Sequence, residues 1–366
     1  MGFLLLLPKL RYFILEDIFD IYIFNIVSSK TILVTGGAGY VGSVLIPTLL
    51  ENNYHVKCLD RFFFGDEYLL SLKNENLELI YDDIRWFNGK ILDNVDIVLD
   101  LAALSNDPVG ELNPEKTFEI NHLGRSRVAK LSKEHGVPKY ILASSASVYG
   151  QQNSIADETA TVNPLTAYSK ANRLAEIDSL KLNDENFSTS VLRFSSIYGI
   201  SPRMRFDLAV NSIVLDLFNS GKIIIYGKEN RRPFLHIKDA IRAYISVIQS
   251  STSKISGQIF NVGSDDQNYR IYDLAKSVGD SISKNYDFEA KDTSDNRSYF
   301  ASFKKISEII GFKPKFTVEE ASKEIYDALK TKKLVFTEKM ITVKWYNHIL
   351  NDPSLSQKLS IDNKIL

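Results

Sequence analysis

Cysteine is all but missing from this chain: Cys58 stands alone among 366 residues. One thiol excludes an internal disulfide and any zinc cage built on cysteines. Histidine is scarce as well. His55, His122, His135, His236 and His348 are scattered and none falls in an H-E-x-x-H spacing, so no metal site is expected. Neither sign of charge prevails, with 44 Lys+Arg against 45 Asp+Glu and a formal charge of -1. That balance removes the basic surface of a nucleic-acid binder and the polybasic patch of a membrane-surface protein. Long apolar runs are missing too: no uninterrupted stretch approaches the ~20 residues that a spanning helix needs.

The remaining composition is that of a globular chain, 44% hydrophobic and 24% charged, which can bury a sizeable core. The length suggests two domains, or one large α/β domain with an added lobe, and the composition reads as a soluble, cytosolic protein. Residues 1–30 stand apart as an apolar and aromatic N-terminal extension. Lys9, Arg11, Glu16, Asp17 and Asp20 interrupt it, and no basic region precedes its apolar run as in a signal peptide. A packed extension is the favoured reading, with a membrane-touching segment or an upstream start of translation as alternatives.

From Thr31 short apolar runs alternate with helical patterns, as βαβ units do. Strands are expected at Thr31–Thr35, His55–Asp60, Leu77–Tyr81, Ile97–Ala102, Tyr140–Ser144 and Ser190–Phe194, and helices at Val41–Asn52, Pro114–His135 and Ala167–Leu182. The strands are continuous apolar runs, which fits a parallel sheet covered on both faces. The expected division is a dinucleotide-binding domain over 31–195, a smaller interleaved substrate lobe over 196–335, and a Lys-rich peripheral tail over 336–366. A strand near 258–263 is expected to return to the main sheet.

The strongest local signal is ILVTGGAGYVGS. A buried strand runs into Gly36-Gly37-Ala38-Gly39-Tyr40-Val41-Gly42, and a helical pattern follows. Gly37, Gly39 and Gly42 satisfy G-x-G-x-x-G, while Gly36, Gly39 and Gly42 give a variant spaced by three. Either set allows a tight turn, close backbone approach to a pyrophosphate and close helix–strand contact. The pyrophosphate would sit on the free N–H groups of the helix N-terminus. Asp60 ends the second strand, where a carboxylate accepts from ribose hydroxyls and repels a 2′-phosphate, favouring NAD over NADP. Arg61 beside it can instead hold that phosphate.

Further along come Asp83-Ile84, DLAALSNDP at 100–108, Asn121, ILASSASVYG at 141–150, PLTAYSKAN at 164–172, LRFSSIYG at 192–199, SPRMRFD at 201–207 and RRPFLHIKD at 231–239. In this order they resemble the extended short-chain dehydrogenase/reductase family, in particular its NAD-dependent nucleotide-sugar epimerases and dehydratases. UDP-glucose 4-epimerase-like proteins are among the nearest in pattern. The resemblance spans roughly residues 31–330. It implies a doubly wound Rossmann sheet with a smaller C-terminal α/β lobe, and a homodimer through the helices that carry Asn121 and Tyr168.

The resemblance also implies roles. Gly36, Gly39, Tyr40, Val41 and Gly42 would carry the cofactor diphosphate. Asp83 and Ile84 would contact adenine, and Leu101, Ala102, Ala103 and Ser144 would line the cofactor. Asn121 would steady that region. Ser145 and Tyr168 match the catalytic Ser/Thr and the tyrosine general base, which takes the proton of the sugar hydroxyl being oxidised. Arg232 matches the arginine on the substrate diphosphate, where a bidentate guanidinium suits the task. Ser147, Ser196, Asp295 and Arg297 fall at substrate positions. Arg203 and Arg205 lie in a loop that covers the nucleotide in the family, although loop arginines equally suit a solvated surface. His236 reads as a structural residue at a helix start.

Three positions depart from the pattern. Asn172 stands where the Y-x-x-x-K motif has the lysine that lowers the tyrosine pKa and holds the nicotinamide ribose. A slower enzyme, or one active at higher pH, is expected, and Asn172→Lys is expected to raise turnover and move the pH profile down. Ala146 and Ser147 follow Ser145, where dehydratases carry an acidic pair and decarboxylases a glutamate. Ser196 replaces an asparagine common in epimerases. The expected activity is therefore epimerisation of a nucleotide sugar. The alternatives are an NAD(H)-dependent keto-sugar reductase and a non-catalytic binding protein that lost the lysine.

Overall fold

The computed structural model describes residues 30–362, 364 and 365. The reading of the N-terminal extension therefore lies outside the described residues, apart from Lys30. Seven strands form the main sheet: β1 Thr31–Thr35, β2 His55–Asp60, β3 Leu77–Tyr81, β4 Ile97–Asp100, β5 Lys139–Ser145, β6 Ser188–Phe194, and, from far along the chain, β10 Gln258–Val262. Their order is β10-β6-β5-β4-β1-β2-β3 and every pairing is parallel.

Apolar residues serve both faces. Ile32 and Val34 of β1 join one core with Cys58, Leu99, Ile141 and Leu192, while Leu33 joins the other with Leu59, Val98, Leu142 and Val191. Two-sided burial is why these strands read as unbroken apolar runs. The chain reverses its direction of travel across the sheet between β1 and β4, and ligands of such sheets bind outside the carboxyl ends at that switch point.

The lobe contains β7 Ser196–Tyr198, β8 Lys222–Tyr226, β9 Arg231–His236, β11 Asn268–Arg270 and β12 Asp287–Lys291. These form a three-stranded sheet, β11-β9-β7, and a pair, β12-β8. Helices Ala209–Ser220, Ile271–Ile282 and Val318–Lys330 close a separate apolar core around them. The helix Ile237–Gln249 instead packs on the main sheet through Ile241, Tyr244 and Val247, so the chain crosses between the two bodies more than once.

The segment expected as a peripheral tail is packed against the sheet. Within helix Thr342–Asn351, Tyr346 and Ile349 are buried, and Nε1 of Trp345 donates to the Phe63 carbonyl at 2.7 Å. Tyr346 meets the rings of Phe63 and Phe64 edge-on. Its lysines, such as Lys339 and Lys344, stay exposed, so their number concealed an apolar stripe on the opposite side. Among the described residues no helix is long and apolar enough to cross a membrane.

Candidate active site

The carboxyl ends of β1, β4, β5 and β6 open onto a cavity of about 540 Å³, closed on the far side by the lobe. That is ample for a dinucleotide-sized ligand to be partly enclosed.

At the β1 end the glycine turn is shaped by two demands. Gly36 has φ +67, and an added Cβ would lie 2.7 Å from Ala102 Cα, so the fold itself requires glycine there. At Gly39 an added Cβ meets only the Gly36 carbonyl oxygen, at 3.0 Å, and otherwise faces open space. Only a ligand would fill that space. Gly39→Ala is therefore expected to leave the thermal transition close to that of the parent while weakening dinucleotide binding about tenfold or more, which is 1.4 kcal/mol. Titration calorimetry checks it, and unchanged affinity would mean the diphosphate lies elsewhere. Tyr40 ties the turn to the lobe: its hydroxyl donates to the Gly199 carbonyl at 2.6 Å and accepts from Asn211 at 3.2 Å. Val41 lines the cavity at the helix start.

Asp60 accepts from the backbone N–H of Ala38 at 2.9 Å and of Phe62 at 2.7 Å, which leaves acceptor capacity facing the cavity. Burial pushes its carboxyl up, against those backbone hydrogen bonds. Two neighbours behave differently from expectation. Arg61 is turned away from a phosphate, donating to Asp83 at 2.9 Å and to the carbonyls of Leu359 at 2.9 Å and Lys364 at 3.0 Å. Asp83 takes that bond together with Arg85 N–H and Nε at 2.9 Å each and Nη2 at 2.8 Å. Four donors fill its acceptor sites, so its carboxylate has none left for an adenine amino group. Ile84 keeps its place in the wall.

Leu101, Ala102 and Ala103 line the cavity after β4, the first two with their N–H groups held at 3.1 Å by Thr35. Asn121 sits in a π-turn, Glu119–Gly124, and grips Leu104 from both sides, accepting from its N–H at 2.8 Å and donating to its carbonyl at 3.0 Å. Ser144 borders the cavity, and its hydroxyl donates to Glu176 at 2.6 Å. Glu176 pairs in turn with buried Arg193 at 2.8 and 2.9 Å, which fixes the helix Ala167–Lys181 on β5 and β6.

That helix opens with a capping box: the Thr166 side chain takes the Ser169 N–H at 3.1 Å, and the Ser169 hydroxyl takes the Thr166 N–H at 3.0 Å. Tyr168 in its first turn therefore has a fixed backbone, and its phenol faces Ser145. Burial raises that phenol above the usual tyrosine range and the Asp107 carboxylate adds to the rise, while the Ser145 hydroxyl and the guanidinium groups of Arg125 and Arg205 pull it down. Buried hydroxyls of Ser147 and Ser195, and Nη1 of Arg203, have no protein partner among the described residues and line the same cavity. Orphaned polar atoms around an open glycine cradle fit a bound polar cofactor.

In the lobe Arg232 donates to Asp295 at 3.2 Å and Arg297 to Asp295 at 2.8 and 2.6 Å, with Arg297 also paired to Asp107. Arg205 is buried, not solvated, and holds Asp207 at 3.0 and 2.9 Å and the Ser105 carbonyl at 2.9 Å. Ser196 lines the wall between them. His236 caps its helix, Nδ1 accepting from the Lys238 N–H at 3.1 Å. The lysine expectation changes at Asn172. Its Oδ1 accepts from Nη1 of Arg125 at 2.7 Å, so a lysine there would face an arginine, and Asn172→Lys loses its reason to speed the enzyme. Arg125 is absent from the sequence reading, although it stands one turn after Asn121 on the same helix face.

A parallel doubly wound sheet with a glycine turn at its switch point makes this a Rossmann-type α/β protein. The chain belongs to the NAD dependent epimerase/dehydratase family, whose model matches residues 32–263. It is 29% identical over 314 residues to a Methanocaldococcus jannaschii protein named "Putative UDP-glucose 4-epimerase", covering 82% of this chain and 98% of that one. With UDP-glucuronic acid decarboxylase 1 of Xenopus tropicalis it shares 26% over 305 residues, 80% of this chain and 70% of the other. In fold it is similar to UDP-glucuronic acid 4-epimerase from Bacillus cereus, solved with UDP-glucuronic acid and NAD, with a TM-score of 0.75, 24% identity, and coverage of 83% of this chain and all of that one.

Proposed function

We propose that this chain is an NAD-dependent nucleotide-sugar epimerase acting at C4 of a UDP-sugar or a close analogue. The observation that carries the reading is the meeting of Tyr168 and Ser145 in the cavity, with Ala146 and Ser147 following, neither of them an acid. Elimination of water and loss of carboxylate both call on an added acid or base at those positions, whereas epimerisation needs one base and one hydrogen-bonding partner. The Methanocaldococcus jannaschii relative, 29% identical over 314 residues and named a putative UDP-glucose 4-epimerase, supports the choice.

The glycine turn Gly36–Gly42 would hold the NAD diphosphate, Asp60 the adenosine ribose, and Ile84, Leu101, Ala102 and Ala103 the walls. Bound NAD would supply the redox chemistry, accepting the C4 hydride and, once the keto sugar has turned over in the cavity, returning it to the opposite face of C4. Tyr168 removes the C4 hydroxyl proton and later returns one, and Ser145 holds that oxygen in line. Arg205, Arg232 and Arg297 would grip the nucleotide end, leaving Ser147 and Ser196 beside the sugar. Asp295, expected at the substrate, has its acceptor sites filled by four donors from Arg232 and Arg297 and would instead hold those two guanidinium groups in place. The same reading includes a homodimer through the helices that carry Asn121 and Tyr168, where Leu123 and Leu174 stand 58% and 38% exposed.

Mass spectrometry of ligands released from purified protein, followed by a nucleotide-sugar panel, tests the proposal. Co-purifying NAD and turnover without added cofactor are expected. Dependence on exchangeable NADH would mark a keto-sugar reductase, and silence across the panel would leave a binding protein.

A further inference from the structure

Both ends of the Asn172 amide are engaged. Nδ2 donates to the Tyr168 carbonyl one turn back at 3.0 Å, and Oδ1 accepts from Arg125 Nη1 at 2.7 Å. Arg125 opens the helix Arg125–Glu134 and is only 1% exposed, yet it borders the cavity. Its Nη2 reaches the ends of β4 and β5, donating to the Asp100 carbonyl at 3.1 Å and to the Ala143 carbonyl. Nε has no hydrogen-bond partner among the described residues and lies 3.7 Å from Asp100 Oδ2.

A buried guanidinium has to be offset, because arginine does not shed its proton. Asp100 supplies part of the offset, but its carboxylate is shared: Thr35 and Tyr140 each bond it at 2.5 Å. Burial also pushes the Asp100 carboxyl up, against the pull of Arg125. The pair therefore leaves positive character beside Asn172 and the start of the tyrosine helix.

We propose that Arg125 supplies, from a neighbouring helix, the cation that the Tyr-x-x-x-Lys motif carries on the tyrosine's own helix, with Asn172 as its tether. The inference rests on the reading of Tyr168 as the base. It makes Arg125 a positioning residue that acts through Asn172 and through its field on the phenol. The exchange is sterically consistent. A side chain at 172 points one turn along from Tyr168, and the Arg125 fork occupies the ground a lysine there would need.

The other groups facing the phenol come from several elements: Ser145 on β5, Asp107 after β4, Arg205 from the loop after β7, and the phenols of Tyr244 and Tyr299. Arg297 holds the far side of Asp107. Of the two cations, Arg205 is bound by both carboxylate oxygens of Asp207 at 3.0 and 2.9 Å. Arg125 has no such closed fork, so more of its charge is felt at Tyr168.

The test follows Tyr168 itself, by NMR of the full-length protein with Cζ-labelled tyrosine, the signal assigned by its loss in Tyr168→Phe. Arg125→Gln is expected to raise the Tyr168 midpoint by about one unit or more. Adding Asn172→Lys to Arg125→Gln is expected to bring the midpoint back, and turnover at neutral pH should fall about tenfold and recover in step. An unmoved midpoint in folded Arg125→Gln, or a double variant that stays high, overturns the proposal. If Arg125→Gln does not fold, Arg125→Lys decides, since it keeps the charge and loses the hydrogen-bonded fork. An unchanged midpoint then upholds the inference, and a raised one reduces Arg125 to a strut. The titration needs no substrate, so failure of the epimerase reading would show separately, as absent turnover with the Tyr168 shifts intact.

Discussion

Tyr168→Phe is expected to lower nucleotide-sugar turnover by about 10²–10⁴-fold, the usual contribution of a positioned general base. The ring is retained, and the lost hydroxyl faces Ser145 and the cavity. Folding stability should therefore change by no more than about 1 kcal/mol, the worth of one net hydrogen bond. Dinucleotide retention should persist as well, because the glycine turn and Asp60 stand at the other end of the cavity. Steady-state kinetics beside a thermal melt separates the two effects. A Tyr168→Phe variant that turns substrate over at the parental rate would remove the phenol from the chemistry.

The same base sets a pH dependence. Burial and then Asp107 raise the phenol above its ordinary range, and Ser145, Arg125 and Arg205 only partly reverse that. The working form is the deprotonated one, so the rate at saturating substrate should climb with pH from neutral into the alkaline range. Each unit below the midpoint leaves about tenfold less phenolate. A flat profile would point to a proton transfer that does not limit the rate.

How much of this was legible in the sequence follows from which forces act locally. β1 and β2 end where expected because each is a largely apolar run bounded by turn residues and buried on both faces, a signal carried within a few residues. β3, the half-exposed edge strand, ends where expected through its apolar residues Leu77, Leu79 and Ile80. The glycine turn is legible for the same reason. Whether a polar side chain is free to meet a ligand is a long-range matter. Asp83 is filled partly by Arg85, two residues away, but also by Arg61 from the loop after β2, and Ser144 turns to Glu176 from a helix laid across β5. The C-terminal segment misled through composition: exposed lysines outnumber the few aromatic residues, Trp345 and Tyr346, that dock it. Arg125 and Asn172 are 47 residues apart, and only packing of one helix on another joins them.

That junction yields the second large effect, in which a substitution toward the family pattern does harm. Asn172→Lys by itself is expected to destabilise the fold and to lower activity. Asn172 is 1% exposed, and its Oδ1 is the partner of Arg125 Nη1 at 2.7 Å. Lysine would remove that acceptor and set an ammonium beside a guanidinium, with Asp100 the nearby counter-charge and already shared by Thr35, Tyr140 and Arg125. An uncompensated buried charge costs on the order of 3–5 kcal/mol. The lysine can shed its proton to escape part of the penalty, but then it supplies no field to Tyr168. Denaturant unfolding of the single variant, beside Arg125→Thr and the double Arg125→Thr/Asn172→Lys, measures the coupling directly. The double should recover most of the lost stability, because one cation again occupies one space. A single Asn172→Lys protein as stable as the parent, and faster, would mean that the two side chains do not compete and that the tyrosine helix had room for its own lysine.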